Sequence, residues 1–196
     1  MKKTLNFMLL LVATASLSSC GYNNLVSGDE NTKGKWAQVE NQYQRRADLI
    51  PNLVNTVKGA ADFEKGTLEA VIQARASATQ IKLDANDLSE ENIKKFEAAQ
   101  SQLSGALSRL MMVSENYPTL KANEGFKALQ DQLEGTENRI TVARGDFNEA
   151  VQTYNGDCRS FPGVISAKMF GFKTKGYFES KAGSDTPPTV DFGTKK

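Results

Sequence analysis

The sequence predicts an all-α protein, a long antiparallel up-and-down four-helix bundle with an irregular aromatic C-terminal tail. Apolar residues recur at three- and four-residue spacing between positions 35 and 160, which is the period of helices packed in a bundle. No alternating pattern typical of strands competes with it before residue 160. The connections between these segments are short, so successive helices are expected to run antiparallel. The length of 196 residues suits one domain.

Residues 1–19 have the features of a bacterial export signal. Two lysines near the start precede an apolar stretch from Leu5 to Ala15, and small residues lead to Cys20. The apolar stretch is shorter than the roughly 20 residues that a spanning helix needs. Residues 17–20 (LSSC) resemble the lipobox of bacterial lipoproteins, which implies cleavage before Cys20 and attachment of acyl chains such as palmitate to it. We therefore expect Cys20 to be the lipidated first residue of the exported chain.

Residues 20–34 contain Gly, Asn, Ser and Lys without an apolar period, so they are predicted to form a flexible lipidated tether. Removing the signal with its two lysines leaves 22 basic residues against 23 acidic ones, a net charge of −1. This balance gives no support for nucleic acid or anionic lipid as a ligand. With Cys20 lipidated, Cys158 is the only remaining thiol, so no intramolecular disulfide is expected.

The predicted bundle covers residues 35–160, and its first helix begins near Lys35. The apolar stripe of that helix consists of Trp36, Val39, Tyr43, Arg46, Ile50, Leu53 and Val57. Pro51 lies inside the stripe and should kink the helix unless the bundle accommodates it. A break is expected between Gly59 and Gly66. The stripe of the second helix then consists of Leu68, Val71, Arg75 and Ala78.

The third helix is predicted to begin at Ser89 as its cap, with Glu90 and Glu91 complementing the helix dipole. It should end before Pro118, because the residue before proline resists the helical region. The seam of this helix is Ile93, Phe96, Gln100, Leu103, Leu107, Leu110 and Ser114. The fourth helix, from about Asn123, has the clearest period, formed by Phe126, Leu129, Leu133, Thr136, Ile140, Ala143, Phe147, Ala150, Tyr154 and Cys158.

Residues 161–196 combine many prolines and glycines with several aromatic residues. Such a tail either packs back along the bundle or waits for a partner. We favour packing, because so many exposed aromatic side chains would invite aggregation of a secreted protein.

Several separated segments resemble the LemA family. They are residues 22–26 (YNNLV), 43–54 (YQRRADLIPNLV), 56–60 (TVKGA), 115–123 (ENYPTLKAN) and 136–144 (TENRITVAR), followed by Phe161, Pro162, 170–172 and 177–179. The resemblance covers about residues 22–192. It implies a long antiparallel helical bundle, exported or membrane-attached, with no established enzymatic activity. Some relatives are associated with magnetosomes and others with TPM-domain envelope proteins. Many carry an N-terminal transmembrane helix, whereas this chain resembles a lipoprotein, and Cys158 stands where an aliphatic residue is expected.

The chemistry of most enzymes has no visible residues here. The chain has no histidine, so common transition-metal sites and the usual general base of hydrolases cannot be assembled. No nucleophile-elbow or phosphate-loop motif occurs. Carboxylate pairs such as Glu90 with Glu91 and Glu134 with Glu137 have the spacing of solvated charges on a helix surface. The sequence therefore predicts a protein without catalytic activity, metal or cofactor.

The unusual feature is a set of arginines at or beside the seams. Arg46 and Arg75 occupy seam positions, and a buried guanidinium needs hydrogen-bonded, charged partners. The residues of this hypothesis are Arg45, Arg46, Asp48, Arg75, Arg109, Glu115, Glu137, Asn138, Arg139 and Arg144. They are interpreted first as an internal polar layer that fixes helix register. The alternative is a groove in which Arg45 and Arg46, near Pro51, receive an anionic peptide or lipid head group.

These features together predict a LemA-like, membrane-anchored lipoprotein that acts as a noncatalytic scaffold or adaptor in the cell envelope. Its expected partners are the membrane, through Cys20, and another envelope protein, with TPM-domain proteins as one candidate class. Gly21 after Cys20 favours the outer membrane, facing the periplasm. Two alternatives remain: a binder or enzyme acting on an envelope lipid, glycan or peptide through an arginine-rich groove, and a self-assembling structural protein.

Overall fold

The computed structural model describes residues 2–59 and 63–179, with side chains described from Gly21 onward. Over these residues the protein is all-helical and has no strand. The helices are α1 (Lys2–Lys58), α2 (Lys65–Gln80), α3 (Glu90–Ser114), α4 (Pro118–Lys121), α5 (Glu124–Arg159) and α6 (Gly163–Phe170). The long helices α2, α3 and α5 correspond to predicted segments, and α1 contains the first predicted segment but begins at Lys2 rather than near Lys35. The short helices α4 and α6 are not predicted from the sequence.

The prediction of a flexible tether over residues 20–34 is wrong, because α1 is helical throughout that stretch. Leu25 and Thr32 are fully buried, and Leu25 packs with Tyr154 and Cys158 of α5. The sequence signal is weak because few apolar side chains make the contact. The long helix α5 covers this part of α1 closely, and a Cβ added at Gly28 would lie 3.2 Å from the Tyr154 ring.

The rest of α1 follows the predicted stripe. All seven seam residues from Trp36 to Val57 are buried, including Arg46. Pro51 is exposed within the helix, and α1 continues through it to Lys58. The missing hydrogen-bond donor of Pro51 therefore does not end the helix. The break predicted between Gly59 and Gly66 is confirmed, since α1 ends at Lys58 and α2 begins at Lys65.

Helix α3 begins at Glu90, as predicted, but the Ser89 side chain makes no capping hydrogen bond. The first turn is supported instead by ion pairs from Lys94 to Glu90 and from Lys95 to Glu91, at 2.6 Å each. Hydrogen bonds from these lysines lower the pKa of both glutamates. Such exposed pairs at four-residue spacing add only a little stability.

Helix α5 begins as predicted, with the Asn123 side chain accepting a hydrogen bond from the backbone N–H of Phe126 at 3.0 Å. This contact satisfies one of the free donors at the start of the helix. Every predicted seam residue of α5 is buried except Leu129, which is half-buried.

Side-chain contacts between helices show the directions in which they run. Lys35 contacts Asp146, and Arg46 contacts Glu137, so α1 and α5 are antiparallel. The Gln100 side chain of α3 reaches the carbonyl oxygen of Ala78 in α2 at 3.3 Å.

The C-terminal segment is not wholly irregular, because it begins with α6. Residues 172–179 then lie without helix against α5, held by two asparagines. Asn155 exchanges two hydrogen bonds with the backbone of Lys175, and Asn148 does the same with Phe178. Phe178 is buried against Trp36, which stacks on it at 6.1 Å between ring centroids. Residues 180–196 of the predicted tail lie outside the described residues.

Among the residues that the structure describes, no helix combines the length and the hydropathy needed to cross a bilayer.

Candidate functional site

Arg46 lies at the centre of a polar layer that crosses three helices. The seam spacing of α1 points this side chain inward, and only 2% of its surface remains exposed. Its Nη1 donates to Glu137 Oε2 of α5 at 2.9 Å and to Ser104 Oγ of α3 at 2.8 Å. Its Nη2 donates to Oε1 and to the carbonyl oxygen of Gln100, at 2.7 and 3.2 Å. The guanidinium therefore joins α1, α3 and α5 at a single register.

The remaining donor of this guanidinium, Arg46 Nε, has no hydrogen-bond partner among the described residues. The cation also lies 5.0 Å from the centre of the Tyr43 ring, a favourable position over an aromatic face. Burial raises the pKa of Tyr43, and the nearby cations Arg144 and Arg46 offset part of that rise. Tyr43 therefore remains a neutral phenol beside the cation.

A groove of about 500 Å³ opens next to this layer, between α3 and α5. It is lined by Arg46, Ser104, Leu107, Ser108, Met111, Gln130, Leu133, Glu134 and Glu137. The Glu137 side chain is 45% exposed, whereas that of Arg46 is 2% exposed. The groove thus offers carboxylates and apolar walls to a ligand. An anionic ligand would need an accessible guanidinium, and that of Arg46 is buried.

Two of the other predicted residues lie close to the layer without joining it. Arg75 of α2 donates its Nε to the carbonyl oxygen of Ala47 at 2.8 Å, next to Arg46 in the chain. Arg45 is exposed on the outer face of α1. Arg75 thereby links α2 to α1 at the level of the layer.

The remaining predicted residues do not meet at one place. Asp48 accepts a hydrogen bond from the Gln44 side chain, and Arg109 lies 3.8 Å from Glu64. Glu115 pairs with Lys121. Asn138 is exposed, and the exposed Arg139 donates to Thr136 Oγ1 within its own helix at 3.2 Å. None of these contacts reaches Arg46, so these residues lie outside the layer.

Arg144 belongs to a second cluster, which holds the C-terminal segment. It pairs with Glu97 of α3 and donates to the carbonyl oxygen of Glu179 at 2.9 Å. Its guanidinium lies 4.6 Å from the centre of the Phe178 ring. The predicted arginine set is therefore divided between the Arg46 layer, the Arg144 cluster and exposed positions.

An ion pair between the half-buried Asp29 and the buried Lys175, which the sequence does not reveal, joins α1 to the segment after α6. Lys175 Nζ lies 2.8 Å from Asp29 Oδ1, and Lys175 is also 5.3 Å from the centre of the Tyr154 ring. Burial raises the pKa of Asp29, but hydrogen bonds from Lys175 and Lys33 outweigh this effect and lower it overall. Burial also raises the pKa of Tyr154.

Sequence reasoning also missed Gln100 and Ser104 as partners of Arg46. Gln100 carried a usable signal, because it is a polar residue at a seam position of α3, as Arg46 is in α1. Ser104 had none, because it stands beside the seam rather than in it.

The structure describes the side chain of only one of the two cysteines, Cys158. Cys158 is free and buried, and burial raises the pKa of its thiol. The Cys20 side chain, the predicted lipidation site, lies outside the described side chains. In the described part of the chain, no group of three or more acidic or cysteine residues is arranged to hold a metal ion.

Comparison with known proteins gives a consistent family relationship. The model of the LemA family matches residues 35–192. Magnetosome protein MamQ 2 of Paramagnetospirillum magneticum is 29% identical over 197 aligned residues, which cover 92% of this chain and 72% of that protein. MamQ of Magnetospirillum gryphiswaldense is 28% identical with the same coverage. Protein LemA of Metamycoplasma hominis is 20% identical over 156 residues, covering 79% of this chain and 68% of that protein. The chain therefore belongs to the LemA family.

Proposed function

We propose that this chain is a membrane-anchored lipoprotein of the cell envelope whose antiparallel four-helix bundle acts as a noncatalytic scaffold or adaptor. One observation carries the proposal: Arg46, a buried cation, has both terminal nitrogens committed to residues of the same chain. A cation used in this way fixes helix register rather than binding a substrate. Contacts with a partner are then left to the outer faces of the helices.

The family relationship supports the same proposal from outside the structure. Two of the relatives are named as magnetosome proteins, and none of the three relatives reported above carries the name of an enzyme. The partner that we propose is another envelope protein, with TPM-domain proteins as one candidate class.

The anchor in this proposal is a lipid on Cys20, which holds the chain in the outer membrane facing the periplasm. Gly21 supports that membrane, since lipoproteins of this kind that stay in the inner membrane carry an aspartate after the cysteine. More than one acyl chain is needed, since one chain gives only marginal membrane residence. Cells fed radiolabelled palmitate should label the wild-type chain but not Cys20→Ser. Equal labelling of both chains, or of neither, would refute the lipid anchor.

The adaptor role is tested by chemical crosslinking in cells, followed by mass spectrometry of the captured proteins. We expect one reproducible envelope protein with the wild type and its loss with Cys20→Ser, because the variant is no longer held at the membrane. Capture of copies of the chain alone would favour a self-assembling structural protein. A purified substrate turned over by the chain, with activity lost on a point change that leaves folding intact, would refute the noncatalytic role.

The groove beside Arg46 supports a second candidate function, the binding of an envelope lipid, glycan or peptide. Its lining of carboxylates and apolar residues suits a ligand with hydroxyl or cationic groups better than an anionic one. A ligand of this kind should raise the melting temperature of the wild type, and Glu137→Gln should reduce that increase. The exposed Glu149→Gln of the same helix serves as the control.

A further inference from the structure

Helix α6 turns its small side chains toward the bundle and its large apolar side chains toward solvent. Its buried positions are Gly163, Ser166 and Ala167. A Cβ added at Gly163 would lie 2.2 Å from the carbonyl oxygen of Asp157, so a side chain has no room there. Close packing against the bundle therefore depends on small residues, which is the reverse of an ordinary surface helix.

The outward side of α6, together with residues next to it, exposes large apolar side chains, which we call the α6 patch. It consists of Tyr22, Phe161, Ile165, Met169 and Phe170, with exposed fractions of 39%, 78%, 52%, 70% and 58%. The rings of Tyr22 and Phe170 meet edge to face, with their centres 4.7 Å apart. Clustered exposed side chains of this size mark an interaction surface rather than chance exposure.

The α6 patch lies at the end of the bundle where the chain leaves the predicted lipidation site. Gly21 follows Cys20 directly, and a Cβ added at Gly21 would lie 3.4 Å from Ser166 Oγ of α6. Tyr22, the next residue, is itself a member of the patch. A membrane that holds Cys20 would therefore be next to the patch.

Three exposed cations lie within three residues along the chain of a member of the α6 patch: Arg159, Lys168 and Lys173. Within the described residues, none of the three forms an ion pair with a carboxylate. Basic residues beside an apolar surface attract the phosphates of lipid head groups. The near-neutral net charge of the whole chain does not show this local excess of positive charge.

We propose that the α6 patch lies in the interfacial layer of the membrane that anchors the chain, with its aromatic rings at the level of the lipid head groups. Aromatic side chains are enriched at that level because they combine apolar rings with polar edges. The inference rests on the proposed membrane anchor, and it adds a second contact that fixes how the bundle is oriented on the bilayer. The occupant of the patch is lipid rather than a protein partner.

A tryptophan reporter tests this position. Met169→Trp places an indole in the α6 patch, and Met112→Trp places one on α3, on a methionine that is likewise 70% exposed. Met112 lies shortly before the start of α5 in the chain, whereas α6 follows its end. Helix α5 is about 54 Å long at 1.5 Å per residue, so the two reporters are at opposite ends of it. The native Trp36 is fully buried and gives the same background in both variants.

The full lipid-anchored chain is reconstituted into vesicles of phosphatidylcholine and phosphatidylglycerol with brominated acyl chains, which quench indole emission on contact. We expect the Met169→Trp emission to shift to the blue and to be quenched, and the Met112→Trp emission to stay as it is in vesicles without bromine. Equal quenching of the two reporters in floating vesicles would overturn the lipid contact while leaving the anchor intact. Failure of the chain to float with the vesicles would overturn the anchor and the contact together.

Discussion

Replacing Arg46 with methionine tests whether the polar layer stabilises the bundle. Methionine approximates the length of the side chain but removes the four hydrogen bonds that the guanidinium donates to α3 and α5. The buried Gln100 then keeps an acceptor without a donor, which costs about 1–3 kcal/mol. Glu137 loses its partner too, but its side chain is 45% exposed and can be hydrated by water, so this part of the cost is discounted.

Burial of the methionine side chain offsets a part of these losses, because buried ion pairs are often matched by apolar replacements. We therefore expect Arg46→Met to lower the free energy of unfolding by about 2 kcal/mol. The assay is urea unfolding of the purified chain, followed by far-UV circular dichroism. The matched control is Arg45→Met, an exposed neighbour whose replacement should change stability by less than about 0.5 kcal/mol.

An Arg46→Met variant as stable as Arg45→Met would contradict a stabilising role for the Arg46 layer. It would mean that the layer does not contribute net stability, as happens for some buried ion pairs. If that stable variant also lost a ligand or partner, the groove beside Arg46 would become the better account of the residue.

Three further predictions concern the segments around α1 and α5. Because the pKa of Asp29 is lower in the folded chain, its carboxylate stabilises the fold above the unfolded-state pKa of about 3.9, and this stabilisation is lost as the pH falls through the lower folded value. The difference in unfolding free energy between the wild type and Asp29→Asn should therefore be constant near neutral pH and shrink in acid. A difference independent of pH would contradict this. Phe178→Ala should lower the free energy of unfolding by about 3 kcal/mol, since it empties a fully packed aromatic site, and an unchanged urea midpoint would show that residues 172–179 do not hold the bundle. Cys158, buried with a raised pKa, should resist a bulky maleimide at neutral pH until urea unfolds the chain, and rapid labelling of the native protein would refute its burial.

The seams of the bundle could be read from the sequence because they depend on a local repeat. The stripe of α5 from Phe126 to Cys158 needs only its own spacing to be recognised, and the structure buries nearly all of it. Gln100 could have been assigned to the layer by the same rule, since it is polar at a seam position.

Other features depend on contacts between distant residues, which spacing does not reveal. Residues 20–34 lack a period because Gly28 and Leu25 pack closely on Tyr154 with little apolar side-chain area. Helix α6 was missed for a related reason, because its buried face is made of glycine, serine and alanine rather than large apolar residues. The pair of Asp29 with Lys175 joins opposite parts of the chain and leaves no local pattern.

The most direct test of the proposed adaptor role places a photo-crosslinking amino acid at Val142 in the full chain within cells. Val142 is 65% exposed on the outer face of α5 and makes no contribution to the core, so the substitution should leave the fold intact. We expect illumination to capture one envelope protein with the wild-type anchor, and to lose that product with Cys20→Ser. Capture of only a second copy of the chain, or the same product with and without Cys20, would contradict a membrane-tethered adaptor.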